Sequence, residues 1–301
     1  MVNFLLIGVC IIAGVLFRRS KLLPVDADRG INAWIIYLAL PAVFFKYLPH
    51  IQWSKELLFP VMAPIITWLG AWLWIQFNSK RLSLDKQSLG GLKLITGLSN
   101  TSFLGFPLVM AYYGEPEIGT AVICDQINFI LFSTIGIVIA IKSSGNHILT
   151  AGVVIKKVAL FPPLIGCVAA LTIPNLIDIS ALSPLFDKLA ATVAPLALFS
   201  IGLQLQFEGW QSELKTISTA LFYKLIIAPS LIILIAIIFK LKGKIIQVSI
   251  FEMAMPSLLS AALVANEYKL NPKLINLVVG VGIILSFCTT AVWFYVLKYL
   301  E

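Results

Sequence analysis

Long runs of apolar residues alternate with short polar connections along almost the whole chain. A helix needs roughly 20 apolar residues to cross a bilayer, so each of these runs is a candidate membrane span. The connections between the runs are too short to fold into a soluble domain. The pattern therefore predicts an all-α integral membrane protein with ten transmembrane helices, near 2–17, 31–48, 56–77, 88–112, 117–141, 148–171, 184–206, 214–239, 245–267 and 273–298.

The composition agrees with this fold class. Hydrophobic residues make up 59% of the chain and charged residues 12%, whereas a soluble domain usually carries about 25% charged residues. Neither a G-x-S-x-G elbow nor an H-E-x-x-H motif occurs, so the sequence does not predict an enzyme. The cysteines lie inside predicted spans without C-x-x-C spacing, which predicts free thiols and neither a disulfide framework nor a metal site. They are Cys10, Cys124, Cys167 and Cys288.

The net charge of +8 comes from basic residues in the loops between spans. Such residues are typical of topology signals, so we do not expect binding to nucleic acid. The loops after spans 1, 3, 5, 7 and 9 hold about twice as many Lys and Arg residues as the remaining loops. The positive-inside rule places that richer side in the cytoplasm. We therefore expect a plasma membrane (bacterial inner membrane) protein with both termini outside.

Two similar motifs lie in spans 4 and 9. They read N-T-S-F-L-G-F-P-L-V at 100–109 and M-P-S-L-L-S-A-A-L-V at 255–264, and Ser102 of the first matches Ser257 of the second. Each motif places a proline, Pro107 or Pro256, inside a predicted span. A proline removes a backbone donor and clashes with the preceding helical turn, so we predict a break in each span at mid-membrane. Paired broken helices in two halves of one chain indicate a substrate site.

Further matches between the two halves occur in the same order along the chain. Leu6-Ile7-Gly8 in span 1 matches Leu164-Ile165-Gly166 in span 6, and similar matches join spans 2 and 7 and the starts of spans 5 and 10. Chance explains any one match between apolar segments, but four ordered matches favour a repeat. The sequence predicts two five-span repeats, 1–142 and 147–301, joined by a polar linker at 143–146. Since five is odd, the second repeat is inverted.

Short polar side chains surround both prolines. The half-helix that restarts after a break presents unpaired amides and the positive end of its dipole, where an anion is stabilised. Hydroxyl and amide side chains there can bind a carboxylate without a buried charge. The alternative is that they only satisfy the loosened backbone of a kinked helix; their symmetric placement favours a substrate site. The candidate substrate-binding residues are Asn100, Thr101, Ser102, Pro107, Pro256 and Ser257.

Ionisable residues inside the spans are a second signal, because each is costly in hydrocarbon and usually functional. Asp125 in span 5 shares a helical face with Asn128, and Glu252 lies one turn before Pro256. We interpret these three as candidates for binding a coupling proton or Na⁺. The alternatives are a structural, hydrogen-bonded Asp125 and a Glu252 that reaches water from the end of its span. Lys224 in span 8 either reaches the interface or pairs with one of the acids.

The motifs resemble those of the auxin efflux carrier family, which includes bacterial organic-acid carriers and plant auxin exporters. The resemblance covers the whole chain and is strongest at 100–114 and 255–272. It implies ten spans in two inverted repeats, with spans 4 and 9 unwound and crossing at Pro107 and Pro256. It also implies a scaffold of spans 1, 2, 6 and 7, and a transport domain of spans 3 to 5 and 8 to 10 that moves like an elevator.

The same resemblance matches Asn100 to the family asparagine that contacts a substrate carboxylate. Plant members also carry an Asp and Lys pair in span 3, and this span 3 contains neither, which disfavours auxin itself. More distantly, E-M-A-M at 252–255 resembles the ninth span of the bile acid sodium symporters. There the Glu helps to bind sodium, but Pro256 and Ser257 replace the amide residues that follow it. Sodium coupling and proton coupling therefore both remain alternatives.

These features predict a secondary transporter of small organic anions, namely mono- or dicarboxylates and auxin-like acids, that works by alternating access. The alternative is a membrane sensor or binding protein that kept the carrier fold without turnover. We expect no cofactor besides a coupling ion. The expected partners are the anion and the lipid bilayer, and homodimer formation is left open.

Overall fold

The computed structural model describes residues 2–24, 26–51, 53–145, 159–205 and 210–300 of this membrane-type chain. These residues are almost entirely helical, and no β-sheet occurs among them. In chain order the main helices are α1 (Val2–Ser20), α2 (Ala27–His50), α3 (Lys55–Asn78), α4 (Lys86–Gly97), α5 (Thr101–Tyr112), α6 (Glu115–Ser144), α7 (Pro162–Asn175), α8 (Ser180–Gln204), α9 (Leu214–Ile238), α10 (Lys244–Met253), α11 (Leu259–Glu267) and α12 (Pro272–Leu300).

Seven helices of the described residues are long and apolar enough to span a membrane: α1, α2, α3, α6, α8, α9 and α12. They correspond to predicted spans 1, 2, 3, 5, 7, 8 and 10. Predicted spans 4 and 9 each consist of two shorter helices, α4 with α5 and α10 with α11. Predicted span 6 begins outside the described residues, and α7 covers its second half. The ten-span inverted repeat therefore stays a prediction.

Helix α6 continues through Ser144, the second residue of the predicted linker at 143–146. Gly145 then adopts a left-handed conformation with φ of 79°, which glycine commonly adopts just after a helix. Residue 146 lies outside the described residues. A serine at the end of a helix can bond back to the preceding turn. The Ser144 hydroxyl donates to the Ile141 carbonyl at 2.8 Å.

One compact unit, called unit 1, comprises Met1–Ser54, Ser102–Val122 and Ala159–Leu205. Helix α1 packs along the second half of α8. Gly14 and Gly202 face each other there, and a Cβ on either would collide with the backbone of the other helix. Small residues of this kind allow membrane helices to approach closely. The buried Ser200 hydroxyl donates to the Asn32 side chain at 2.6 Å, which fixes α8 against α2.

The second compact unit, called unit 2, comprises Lys55–Thr101, Ile123–Val158 and Gln206–Glu301. Within it, α3 packs on α4, α9 and α10, while α12 packs on α9, α10 and α11. Buried and half-buried aromatic side chains hold these helices together by donating to backbone carbonyls. The Tyr223 hydroxyl donates to Thr67 at 2.8 Å, and the Trp293 indole donates to Leu225 at 2.8 Å. A π-helical turn in α9, Tyr223–Ile227, lies at the centre of this packing.

Capping residues set where the helices next to the site begin. The Asp85 carboxylate accepts a hydrogen bond from the Ser88 amide at 2.8 Å and starts α4. Its hydrogen bonds with Ser88 hold the pKa of the Asp85 carboxyl below its usual value. Asn271 caps α12 by accepting from the Leu274 amide at 3.3 Å. The Asn271 amide also donates to the Ser88 hydroxyl at 2.8 Å, so the starts of α4 and α12 are tied together.

Candidate functional site

The two broken spans each contain a short extended segment between half-helices. Helix α4 ends at Gly97 and α5 begins at Thr101; α10 ends at Met253 and α11 begins at Leu259. The break predicted at Pro256 is confirmed, because this proline lies between α10 and α11. We call residues 98–100 together with residues 256–258 the crossing.

The break predicted at Pro107 is wrong in position. Pro107 lies inside helical α5, at the second residue of the α-helical part Phe106–Tyr112. A proline is tolerated in the first turn of a helix. The wider π-helical turn Thr101–Gly105 comes directly before that part. The actual break, at 98–100, contains no proline and is stabilised by pairing with the other break.

Backbone hydrogen bonds join the two breaks as an antiparallel pair. The Asn100 amide donates to the Pro256 carbonyl at 2.8 Å, and the Leu258 amide donates to the Leu98 carbonyl at 3.0 Å. Ser99 lies opposite Ser257. Since unpaired backbone groups are costly in hydrocarbon, each break satisfies the polar groups that the other leaves open.

The residues that face each other across this pair differ from those that the motif similarity matches. The sequence matches Ser102 with Ser257, whereas the backbone places Ser99 opposite Ser257. The spacing between Ser99 and Ser257 equals that between Leu6 and Leu164, which belong to another of the sequence matches. The register of the repeat stays a prediction.

Polar side chains at the crossing are fully buried. Asn100 and Ser257 have no exposed surface. The side-chain oxygen and nitrogen of Asn100 and the hydroxyl of Ser257 have no hydrogen-bond partner among the described residues. Buried polar groups are normally paired, so these atoms are candidates to bind a ligand. Ser102 is also buried and its hydroxyl is likewise without a partner there, but Ser102 and Pro107 belong to unit 1.

Asp125 and Asn128 both contact the first break. The Thr101 hydroxyl donates to an Asp125 carboxylate oxygen at 2.6 Å. The Asn128 side-chain oxygen accepts from the Ser99 amide at 3.4 Å, while its nitrogen donates to the Cys124 carbonyl at 3.3 Å. The predicted shared helical face of Asp125 and Asn128 thus points two polar groups of α6 at residues 99–101. The Thr101 side chain is hydrogen-bonded to Asp125, whereas the neighbouring Asn100 side chain is available to bind a ligand.

Lys224 and Glu252 are both fully buried. The Lys224 ammonium donates to the Ser99 hydroxyl at 2.5 Å and to the Met253 carbonyl at 3.4 Å, so it does not reach the interface. Glu252 does not reach water, and neither of its carboxyl oxygens has a hydrogen-bond partner among the described residues. The charges of Asp125 and Lys224 both act on the Glu252 carboxyl. Unit 2 therefore holds two acids and one lysine together in a buried site.

Sequence reasoning missed Ser99, and it left open whether Lys224 reaches the interface or pairs with one of the acids. Serine is common in membrane spans, so the identity of Ser99 carried no signal by itself. A lysine in the middle of an apolar span was a usable signal, since such residues are rare. Among the described residues, no group of three or more His, Cys, Asp or Glu side chains could hold a metal ion.

The apolar helices and the broken pair with its buried polar groups define a multi-pass helical membrane protein. The membrane transport protein family matches the chain over residues 1–294. The chain therefore belongs to this family, the auxin efflux carrier family that its motifs resemble.

Similar proteins agree with this membership. An uncharacterized transporter of Methanocaldococcus jannaschii is 24% identical over 304 residues, which cover 97% of each chain. An uncharacterized transporter of Methanothermobacter thermautotrophicus is 25% identical over 297 residues, covering 96% of this chain and 95% of the relative. Auxin efflux carrier component 8 of Arabidopsis thaliana is 29% identical over 107 residues, which cover 34% of this chain and 28% of the relative. The family and these relatives are transporters.

Proposed function

We propose that this protein is a secondary transporter that moves small organic anions, with mono- and dicarboxylates and auxin-like acids as the candidate substrates. Membership of a membrane transport family supports the class of function. The observation that carries the substrate class is the crossing, where Asn100 and Ser257 are buried with polar atoms that have no partner among the described residues. These groups are suited to hold a carboxylate in a dry site.

The chemistry of the crossing favours an anion over a neutral or cationic solute. The Asn100 side-chain nitrogen and the Ser257 hydroxyl are donors, and the first amides of α11 add the positive end of a helix dipole. The Lys224 ammonium, bonded to Ser99 next to Asn100, adds a positive charge. A carboxylate accepts hydrogen bonds from all of these groups without needing an arginine, which would bring a second buried charge.

The transport mechanism we propose is an elevator movement. Asn100, Ser257, Asp125, Lys224 and Glu252 all belong to unit 2, so the groups that bind the anion and those that bind a coupling ion lie in one compact body. A movement of that body carries anion and coupling ion together. We place the protein in the plasma membrane (bacterial inner membrane) with both termini outside, on the basis of the distribution of Lys and Arg among the loops.

A substrate screen followed by counterflow tests this function. Purified protein is first screened by thermal shift against organic acids, because a ligand that binds only the folded state raises its stability. Liposomes loaded with the unlabelled acid that gives the largest shift are then diluted into trace labelled acid. We expect the label to accumulate transiently inside the liposomes. A stabilising acid that is not exchanged would indicate a sensor and contradict transport.

A further inference from the structure

The buried position of Lys224 bears on whether the protein binds a coupling metal ion. Lys224 lies in α9, an apolar helix long enough to span a membrane, and is fully buried. A lysine inside such a segment is costly and is usually functional. Its ammonium donates to the Ser99 hydroxyl at 2.5 Å and to the Met253 carbonyl at 3.4 Å. A single charged group thus hydrogen-bonds to Ser99 in the first break and to the last residue of the half-helix before the second break.

The two acceptors of Lys224 are of the kind that bind monovalent metal cations in transporters with broken helices. There, unwound backbone carbonyls and the carboxyl ends of half-helices coordinate Na⁺. Met253 is the last residue of α10, so its carbonyl lies at the negative end of that half-helix. Ser99 provides a hydroxyl oxygen from the other break. The lysine nitrogen therefore lies where a small cation would be coordinated.

A further buried acid lies next to these acceptors. Glu252 lies one residue before Met253, and the charges of both Lys224 and Asp125 act on its carboxyl.

We propose that the Lys224 ammonium takes the place of a coupling metal cation at the crossing, so that the protein binds its substrate without Na⁺. This inference rests on the proposed function, because it concerns the coupling ion of the same site. If Lys224 had only a packing role, it would make the same hydrogen bonds. An added cation would then not restore the stability that is lost when Lys224 is replaced.

The experiment measures thermal unfolding of the purified protein in NaCl, KCl and choline chloride at equal ionic strength. Wild type is expected to have the same Tm in all three salts. The Lys224→Met variant is expected to have a lower Tm in choline chloride. It is expected to regain roughly 5 °C as Na⁺ saturates the Ser99 and Met253 oxygens that have lost their lysine partner. Lys215→Met is the matched control: Lys215 is an exposed lysine of the same helix, so its replacement should give no Na⁺ response.

A double variant keeps the test decisive where Lys224→Met does not fold. Lys224→Met with Glu252→Gln removes one positive and one negative charge together, so it is expected to be more stable than Lys224→Met alone. A Na⁺-specific rise in the wild-type Tm, a Lys224→Met protein without a Na⁺ response, or a double variant no more stable than the single one would each overturn the inference. No organic anion is added, so failure of the proposed transport function would leave these results unaffected, and the reverse also holds.

Discussion

At the scale of single residues, the site is made by polar side chains that are costly in hydrocarbon. Asp125 and Glu252 were predicted from the sequence because charged residues stand out in apolar spans. Ser99 was not, because its role depends on Lys224 and Ser257, which are far away in the sequence. Sequence reasoning therefore finds residues whose type is unusual and misses those whose neighbours make them important.

Replacement of Glu252 tests proton coupling. In liposomes, a pH gradient is expected to drive accumulation of the labelled carboxylate by wild type. Glu252→Gln is expected to retain exchange but to lose accumulation, because glutamine keeps the shape of the side chain and cannot carry the proton. The measurement is uptake with and without the gradient. Glu56→Gln, at an exposed position that starts α3, is the control; gradient-driven uptake by Glu252→Gln would rule out this role.

At the scale of helices, the two breaks are one structural feature. Neither 98–100 nor 256–258 satisfies its own backbone, and the two hydrogen bonds between them replace the helical bonds that each lacks. The sequence predicted the break at Pro256 because proline has a strong local effect. It could not place the break at 98–100, because that break depends on backbone hydrogen bonds to residues 256–258 and not on a local residue type.

The two prolines are expected to differ in importance. Pro256→Ala restores a backbone donor between α10 and α11, which favours a continuous helix over the paired crossing. We expect carboxylate affinity to fall roughly tenfold, corresponding to about 1.4 kcal/mol. Pro107→Ala, within helical α5, is expected to change affinity less than about twofold, since proline and alanine are both tolerated there. Equal losses in the two variants, measured by equilibrium binding, would argue against the corrected position of the break.

At the scale of the whole molecule, composition and hydropathy were enough to predict a helical membrane protein, and the motifs were enough to predict the family. These properties are predictable because hydrocarbon imposes length and apolarity on every span. The structure of predicted spans 4 and 9 was harder to predict from the sequence, since each consists of two short helices with buried polar residues. Their geometry depends on contacts between distant segments, and hydropathy does not report such contacts.

The central claim is that an organic anion binds at the crossing through Asn100. The most direct test is equilibrium binding of the labelled carboxylate to purified wild type, Asn100→Ala and Asn175→Ala, with thermal unfolding as a check that each variant is folded. A hydrogen bond to a charged group contributes about 1.5–3 kcal/mol, so Asn100→Ala should bind roughly 10- to 100-fold more weakly. Asn175, an exposed residue at the end of α7, should be replaceable without effect. A folded Asn100→Ala protein with wild-type affinity would contradict the claim.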